Sequence, residues 1–160
     1  MDAIERYILD NSTPEQALLH ELERETYLRV LNPRMISGHV QGRLLEMIVR
    51  MLRPRRILEI GTFTGYSALC MAAGLDQGGV IDTCEVDDEL QEMAASFFDR
   101  SPHGGKIVQH IGPALDIVPR LGGVYDLVFI DGDKREYPAY YDMLLDGGYV
   151  AGGSFILADN

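Results

Sequence analysis

From Pro54 onward the chain repeats one local pattern: a short apolar run, a break of glycine or polar residues, and a stretch with helical spacing. The apolar runs predict strands at 56–60, 80–86, 106–110, 125–130 and 154–158. The intervening stretches predict helices at 66–74, 88–100, 115–121 and 138–145. Strands separated by helices are joined by crossovers, which make the sheet parallel and place helices on both faces. The sequence therefore predicts an α/β fold.

The part of the chain before Pro54 is helical in pattern. Residues 1–31 have helical spacing, and the stretch 13–16 (TPEQ) has the form of a capping box with proline at the first helical position. A break at 32–34 precedes a second amphipathic helix at 38–52. We expect a single domain over 1–160, with N-terminal helices in 1–53 and the α/β core in 54–160.

The charge of the chain disfavours a broad nucleic-acid footprint. The formal net charge is −11, so there is no surplus of lysine and arginine to displace counterions from phosphates. A local exception is the cluster Arg50, Arg53, Arg55 and Arg56. The simpler interpretation of this cluster is a solvated helix end stabilised by the helix dipole, and the alternative is a basic patch for RNA.

The two cysteines, Cys70 and Cys84, lie in apolar surroundings without metal-ligand spacing. This pattern predicts buried free thiols in a reducing compartment. No apolar run in the sequence approaches the length that crosses a bilayer. We expect a cytoplasmic protein with no membrane partner.

The turn after the first predicted strand has two glycines, Gly61 and Gly65, that would let a ligand approach the main chain. Phe63 stands where the second glycine of a dinucleotide motif belongs, so a pyrophosphate ligand is disfavoured. Glu59, just before the turn, favours a ligand with an ammonium or sulfonium group. Hydroxyl groups are supplied by Thr62, Thr64 and Ser67.

The second predicted strand ends at Glu85, which is followed by Val86. A carboxylate at this place can accept hydrogen bonds from both hydroxyls of a ribose. The alternative is an ordinary exposed acid at a strand end. Together with the preceding glycine turn, Glu85 predicts a nucleoside cofactor without a pyrophosphate, and S-adenosylmethionine (SAM) fits that description.

The fourth and fifth predicted strands end in oxygen-bearing side chains. Asp131 follows the fourth strand, and Asp159 and Asn160 follow the fifth. If the two strands are neighbours, these residues converge at one rim of the sheet, where two carboxylates and an amide oxygen suit a hard divalent cation such as Mg²⁺. For Asp159 and Asn160 alone, the alternative is a turn or an Asx cap.

Several motifs follow one another in a specific order: MISG at 35–38 with QG at 41–42, EIGTFTGYS at 59–67, GPA at 112–114, FIDGDK at 129–134, and ADN at 158–160. Their order and spacing resemble the cation-dependent O-methyltransferases of the catechol and caffeoyl-CoA type. The resemblance extends from about Met35 to the last residue.

This resemblance implies a Rossmann-like class I methyltransferase fold and a role for each matching residue. The methionine part of SAM would be surrounded by Gly61, Thr62, Phe63, Gly65 and Ser67. Glu85 would hold the ribose, Ala114 would lie near the adenine, and Met35 and Ser37 would help to close the pocket. The predicted cofactor set also includes Glu59, Val86 and Asp131. The metal ligands would be Asp131, Asp159 and Asn160, and Lys134 would be the general base.

The resemblance also implies partners. The expected acceptor is a small hydroxylated aromatic, either a catechol or a hydroxycinnamoyl group. A homodimer is expected for a different reason, because the fifth predicted strand would lie near an open edge of the sheet if the chain ends at residue 160. A hydroxylated tRNA nucleoside is an alternative acceptor, and a nucleoside-binding module without catalysis is an alternative function. Because members of this family continue with a further helix and an antiparallel strand pair, we expect the C-terminal strands to be missing from this chain.

Overall fold

A computed structural model describes residues 3–159, apart from the side chain of Glu5. The described elements, in chain order, are α1 (Ala3–Asp10), α2 (Ala17–Arg29), α3 (Gly38–Leu52), β1 (Arg56–Ile60), α4 (Tyr66–Gly74), β2 (Val80–Glu85), α5 (Gln91–Arg100), β3 (Ile107–Ile111), α6 (Ala114–Leu121), β4 (Leu127–Ile130), α7 (Tyr137–Asp146) and β5 (Phe155–Ala158). Short 3₁₀ turns occupy Pro33–Met35, Asp88–Leu90, Gly104–Lys106 and Lys134–Glu136.

The five strands form one parallel sheet in the order β3-β2-β1-β4-β5. The strand order reverses between β1 and β4, where an open α/β sheet forms its ligand crevice. The register aligns the strand ends: Ile60 lies opposite both Cys84 and Ile130, and Ile130 lies opposite Ala158. The predicted α/β class is confirmed, and the residues that follow each strand meet at one rim.

The central strands are buried on both faces. Ile57 and Leu127 pack in one core cluster with α3 and α4, whereas Leu58 and Val128 pack in another with α6 and α7. Alternate residues of a strand point to opposite faces, so each strand contributes to both clusters. Helices therefore cover both faces, as predicted. None of the described helices has the length and apolar content needed to cross a membrane.

The N-terminal region differs from the prediction. Two helices replace the continuous helical pattern, and α2 begins at Ala17 with Gln16 at the N-cap position and no side-chain cap hydrogen bond. The predicted capping box at 13–16 is wrong because tertiary contacts take up this segment. The carbonyl of Pro14 accepts a hydrogen bond from Arg43 Nη2 (3.0 Å), and the carboxylate of Glu15 accepts one from the hydroxyl of Tyr66.

The first strand has its predicted boundaries, and the boundaries of the other four shift by one or two residues. The strand predicted at 125–130 begins at Leu127. The side chain of the preceding residue, Asp126, binds the start of β1: its Oδ2 accepts hydrogen bonds from the backbone N–H groups of Arg55 (2.8 Å) and Arg56 (3.0 Å). The prediction that the two cysteines are buried free thiols is confirmed, since Cys70 and Cys84 are both buried and unbridged.

Candidate cofactor and metal site

The turn between β1 and α4 packs directly against the end of β4. Gly61 has a φ of +104°, and a Cβ at this position would lie 2.3 Å from the carbonyl oxygen of Asp131. Only glycine tolerates both the conformation and the close approach. The backbone N–H groups of Gly61 and Thr62 donate to the carbonyl of Cys84 (2.9 and 3.1 Å), which ties the turn to β2.

The middle of the turn has an uncommon backbone conformation. Phe63 is left-handed with a φ of +49°, which is unfavourable for a bulky side chain. Its N–H donates to Glu85 Oε2 at 2.6 Å, a charge-assisted bond that offsets this cost. At the far end of the turn, a Cβ on Gly65 would lie 2.5 Å from the ring of Phe98 on α5. The turn is therefore fixed on both sides.

The carboxylate of Glu85 is held by three backbone donors. Besides Phe63, the N–H groups of Val86 (2.9 Å) and Asp87 (3.0 Å) donate to its Oε1. The side chain is largely buried, yet it lines a cavity above the strand ends. Each carboxylate oxygen has about two acceptor sites. Three of about four sites are therefore used, and Glu85 is oriented in advance with one acceptor site left, on Oε2, for a ligand hydroxyl.

Glu59 lies beneath the turn and is fully buried. Ser67 Oγ donates to its Oε1, and Thr83 Oγ1 donates to its Oε2, both at 2.5 Å. The pKa of Glu59 is raised to about 8, chiefly by burial and to a smaller extent by the charges of Asp131 and Glu85, against the opposing effect of the two hydroxyl bonds. Glu59 therefore links β1, β2 and α4 from below.

A cavity of about 480 Å³ lies above the strand ends. Seven residues of the predicted cofactor set line it: Met35, Gly61, Phe63, Glu85, Val86, Ala114 and Asp131. Other lining residues, which the sequence analysis did not assign, include Gly112 and Tyr140. Among the described residues, the lining does not include Ser37, Glu59, Thr62, Gly65 or Ser67. Contact with a cofactor stays a prediction for all twelve residues of the set.

A larger groove of about 810 Å³ adjoins this cavity and shares Met35, Phe63 and Glu85 with it. Its other lining residues come mainly from the end of α2 and from the segment 87–97. The smaller cavity, unlike this groove, contains the residues that follow β1, β3 and β4, where ligands of open α/β sheets bind.

The side chains of Asp131 and Asp159 lie together at the rim, as the sequence predicted. The pKa of Asp131 is raised to about 6, first by burial and then by the adjacent carboxylate of Asp159, whereas Lys134 opposes the shift. The carboxyl groups of Asp131 and Asp159 are therefore adjacent and partly buried, with Lys134 beside them. Asn160, the third predicted ligand, lies outside the described residues.

Asp159 is held from three directions. Its backbone N–H donates to the carbonyl of Ile130 (2.9 Å), and its own carbonyl accepts hydrogen bonds from the hydroxyl of Tyr137 (3.0 Å) and from Lys134 Nζ (3.4 Å). Gln41 Nε2, on α3, donates to Asp159 Oδ1 at 3.1 Å. The sequence analysis gave no site role to Gln41 or Tyr137. Gln41 belongs to the QG motif at 41–42, one of the motifs on which the family resemblance rests, and this was the only sequence feature that pointed to it.

Comparison with known proteins places this geometry in context. The family model described as O-methyltransferase matches residues 9–160. The chain is 32% identical to catechol O-methyltransferase domain-containing protein 1 of Mus musculus, with 91% of this chain and 59% of that protein covered. It is 32% identical to caffeoyl-CoA O-methyltransferase 2 of Petunia hybrida, with 99% and 68% covered. The chain thus spans about three fifths of the length of the mouse relative.

Solved structures with the same fold are bound to the expected cofactor or its product. The SAH-bound Podospora anserina methyltransferase PaMTH1 superposes with a TM-score of 0.91 at 30% identity, over 98% of this chain and 67% of that one. The O-methyltransferase TomG from Streptomyces achromogenes, in complex with SAM, gives a TM-score of 0.90 at 31% identity, over 99% and 72%. The fold is therefore the Rossmann-like fold of class I methyltransferases.

Proposed function

Since this chain belongs to the O-methyltransferase family that includes the catechol and caffeoyl-CoA enzymes, we propose that it transfers the methyl group of SAM to a hydroxyl oxygen with the help of a divalent cation. The observation that carries this proposal is the Glu85 carboxylate, fixed by three N–H groups and facing the same cavity as Gly61 and Asp131. We also propose that the chain is a single domain that acts in the cytoplasm as a homodimer.

In this proposal, Glu85 binds the ribose of SAM, because its carboxylate is oriented and has free acceptor capacity. Ala114 lines the part of the cavity expected for the adenine, and Gly61 lines the part expected for the methionine moiety. SAM supplies an electrophilic methyl group on a sulfonium. The chain contributes mainly by fixing the position of the reacting groups.

The donor set fits a divalent cation. Asp131 and Asp159 place two carboxylates against each other in a partly buried site, an arrangement that a cation would relieve. Oxygen ligands of this kind suit Mg²⁺. The side-chain oxygen of Asn160, the residue after Asp159 in the sequence, would be the third ligand. The bound cation would stabilise the anionic form of an acceptor hydroxyl. We propose Mg²⁺ as the resident ion.

Lys134 is our candidate for the general base. Its Nζ is exposed and lies at the rim, 3.4 Å from the carbonyl oxygen of Asp159. An amine at this position would take the proton of an acceptor hydroxyl bound beside Asp131 and Asp159. The alternative is an ordinary solvated lysine just before α7. In that case, replacing Lys134 would not change the rate of methyl transfer.

We propose that the acceptor is a small hydroxylated aromatic, as the names of the catechol and caffeoyl-CoA relatives suggest. The rival tRNA acceptor requires a free basic patch. Three of the clustered arginines are already paired with carboxylates: Arg50 with Glu46 (2.8 Å), Arg53 with Asp76 (2.9 Å) and Arg56 with Asp82 (2.9 Å). These pairs neutralise most of the cluster and support the small acceptor.

The test combines binding with activity. Calorimetry with SAM, with and without Mg²⁺, measures cofactor binding, and mass spectrometry detects methyl transfer to catechols, hydroxycinnamoyl thioesters and tRNA. We expect saturable SAM binding and methylation of an aromatic hydroxyl. Binding without any methyl transfer would support the non-catalytic nucleoside-binding module, and steeply salt-dependent methylation of tRNA alone would support the RNA acceptor.

A further inference from the structure

We propose that Gln41 is a positioning residue for the divalent cation, acting through the carboxylate of Asp159. The inference rests on the proposed function, because it concerns the cation that Asp131 and Asp159 would hold. It assigns a role to a side chain on α3, an element outside the strand-end turns that make up the rest of the site.

The position of Gln41 is fixed by the packing of its helix. The next residue, Gly42, lies so close to α4 that a Cβ there would stand 2.6 Å from Cys70 Sγ and 2.8 Å from the ring of Tyr66. The first turn of α3 is therefore pressed against α4 and cannot move without a rearrangement of the core. The amide of Gln41 reaches the end of β5 from this rigid base, 3.1 Å from Asp159 Oδ1.

The hydrogen bond controls the one freedom that Asp159 retains. Its backbone is already held on both sides, through the carbonyl of Ile130 and the hydroxyl of Tyr137. What remains is the rotation of the side chain. Because a carboxylate only accepts hydrogen bonds, the amide nitrogen of Gln41 must face it. This contact, together with the side-chain hydrogen bond that Asp159 shares with Asp131, sets the direction of the carboxylate.

The identity of the donor is chemically appropriate. An amide orients a carboxylate without adding a positive charge, so it does not compete electrostatically with a cation for the same oxygen atoms. The one lysine nearby, Lys134, contacts the backbone carbonyl of Asp159 instead. Groups that hold metal ligands in this way change metal affinity by about 10- to 100-fold when they are removed.

The experiment measures cation affinity directly, with Mn²⁺ as the probe. The full chain is titrated with Mn²⁺, and the free ion is followed by electron paramagnetic resonance in the wild type, Gln41→Met and Gln41→Ala. The methionine variant keeps the length of the side chain and removes the donor. A matched control, Gln91→Met, changes an exposed glutamine of α5. Calorimetry with SAH reports whether each variant keeps a folded cofactor site.

We expect both Gln41 variants to bind Mn²⁺ about tenfold more weakly than the wild type, with the affinity for SAH and the behaviour of Gln91→Met unchanged. Wild-type Mn²⁺ affinity in either Gln41 variant would overturn the role of Gln41 and leave the proposed function in place. Equal losses of Mn²⁺ and SAH affinity would also overturn it, because they would indicate a structural role. A wild type that does not bind Mn²⁺ would refute the cation dependence itself.

Discussion

The Cα of Gly61 lies against the backbone of Asp131, so that a Cβ on the glycine would stand 2.3 Å from the carbonyl oxygen of the aspartate. This approach joins the turn that would hold the cofactor to the strand end that would hold the cation. The N–H of Asp131 also donates to the carbonyl of Ile60 (2.8 Å), so the two strand ends are locked in register. The two halves of the candidate site therefore form one rigid unit.

Replacing Gly61 by alanine should damage both stability and cofactor binding. The added methyl group collides with the carbonyl of Asp131, and the φ of +104° is unfavourable for alanine. We expect a loss of about 3 kcal/mol in the free energy of unfolding, measured by urea denaturation, and a large loss of SAH affinity.

Gly78 offers a matched control, because its φ of +83° is also left-handed but a Cβ there would meet nothing within 4 Å. The variant Gly78→Ala should lose only about 1 kcal/mol and keep full SAH affinity. If both variants behave alike, backbone strain alone explains the effect and the contact with Asp131 has no special importance.

The variant Glu85→Gln should bind SAH at least about tenfold more weakly than the wild type. Both carboxylate oxygens accept backbone N–H groups, so either orientation of a glutamine amide turns its NH₂ group towards a donor. Calorimetry measures the loss. Glu89→Gln, an exposed residue of the adjoining groove, serves as the control. Unchanged affinity in Glu85→Gln would rule out the ribose contact.

The stability of the protein should depend on pH through Glu59. Its pKa is about 8 in the folded state, because of burial, against 4.5 as the ordinary value. Between these values the folded state binds more protons than the unfolded state, so stability falls as the pH rises. The contribution amounts to at most about 1.4 kcal/mol per pH unit.

The variant Glu59→Gln removes this titration and keeps a side chain that can bond both Ser67 and Thr83. Urea denaturation from pH 5 to pH 8 should show that the stability advantage of the variant over the wild type grows with pH. If the stability of the two proteins changes with pH in the same way, folding does not raise the pKa of Glu59.

The variant Lys134→Met should slow methyl transfer by about 10²- to 10³-fold while SAH binding is retained. Lys134 lies at the rim beside Asp159 and is not among the residues that line the cofactor cavity. Arg135→Met is the matched control, since Arg135 is the next residue, is highly exposed and pairs with Asp133. Turnover equal to wild type in Lys134→Met would exclude it as the base.

The sequence was sufficient to predict the layered fold and half of the residues that line the cavity. Strand periodicity and the glycine turn are local signals, and parallel register brings the ends of neighbouring strands to one rim, as it does for Asp131 and Asp159. The sequence could not show that Glu59 lies beneath the turn, because its partner Thr83 belongs to another strand.

Gln41 shows a second limit of the sequence. Its partner Asp159 is 118 residues away, and only the packing of α3 against α4 and beside β5 brings the two side chains together. The capping-box motif at 13–16 failed for a similar reason, since Pro14 and Glu15 are engaged by Arg43 and Tyr66. In this segment, hydrogen bonds from distant side chains override the local capping pattern.

The most direct test is the cation dependence of methyl transfer. The full chain is freed of metal with EDTA and incubated with SAM and the aromatic acceptor, with or without added Mg²⁺, and the methylated product is measured by mass spectrometry. We expect product with Mg²⁺, almost none with EDTA, and little in Asp131→Asn or Asp159→Asn under either condition. Methyl transfer that continues at the same rate in EDTA and in both variants would contradict the account.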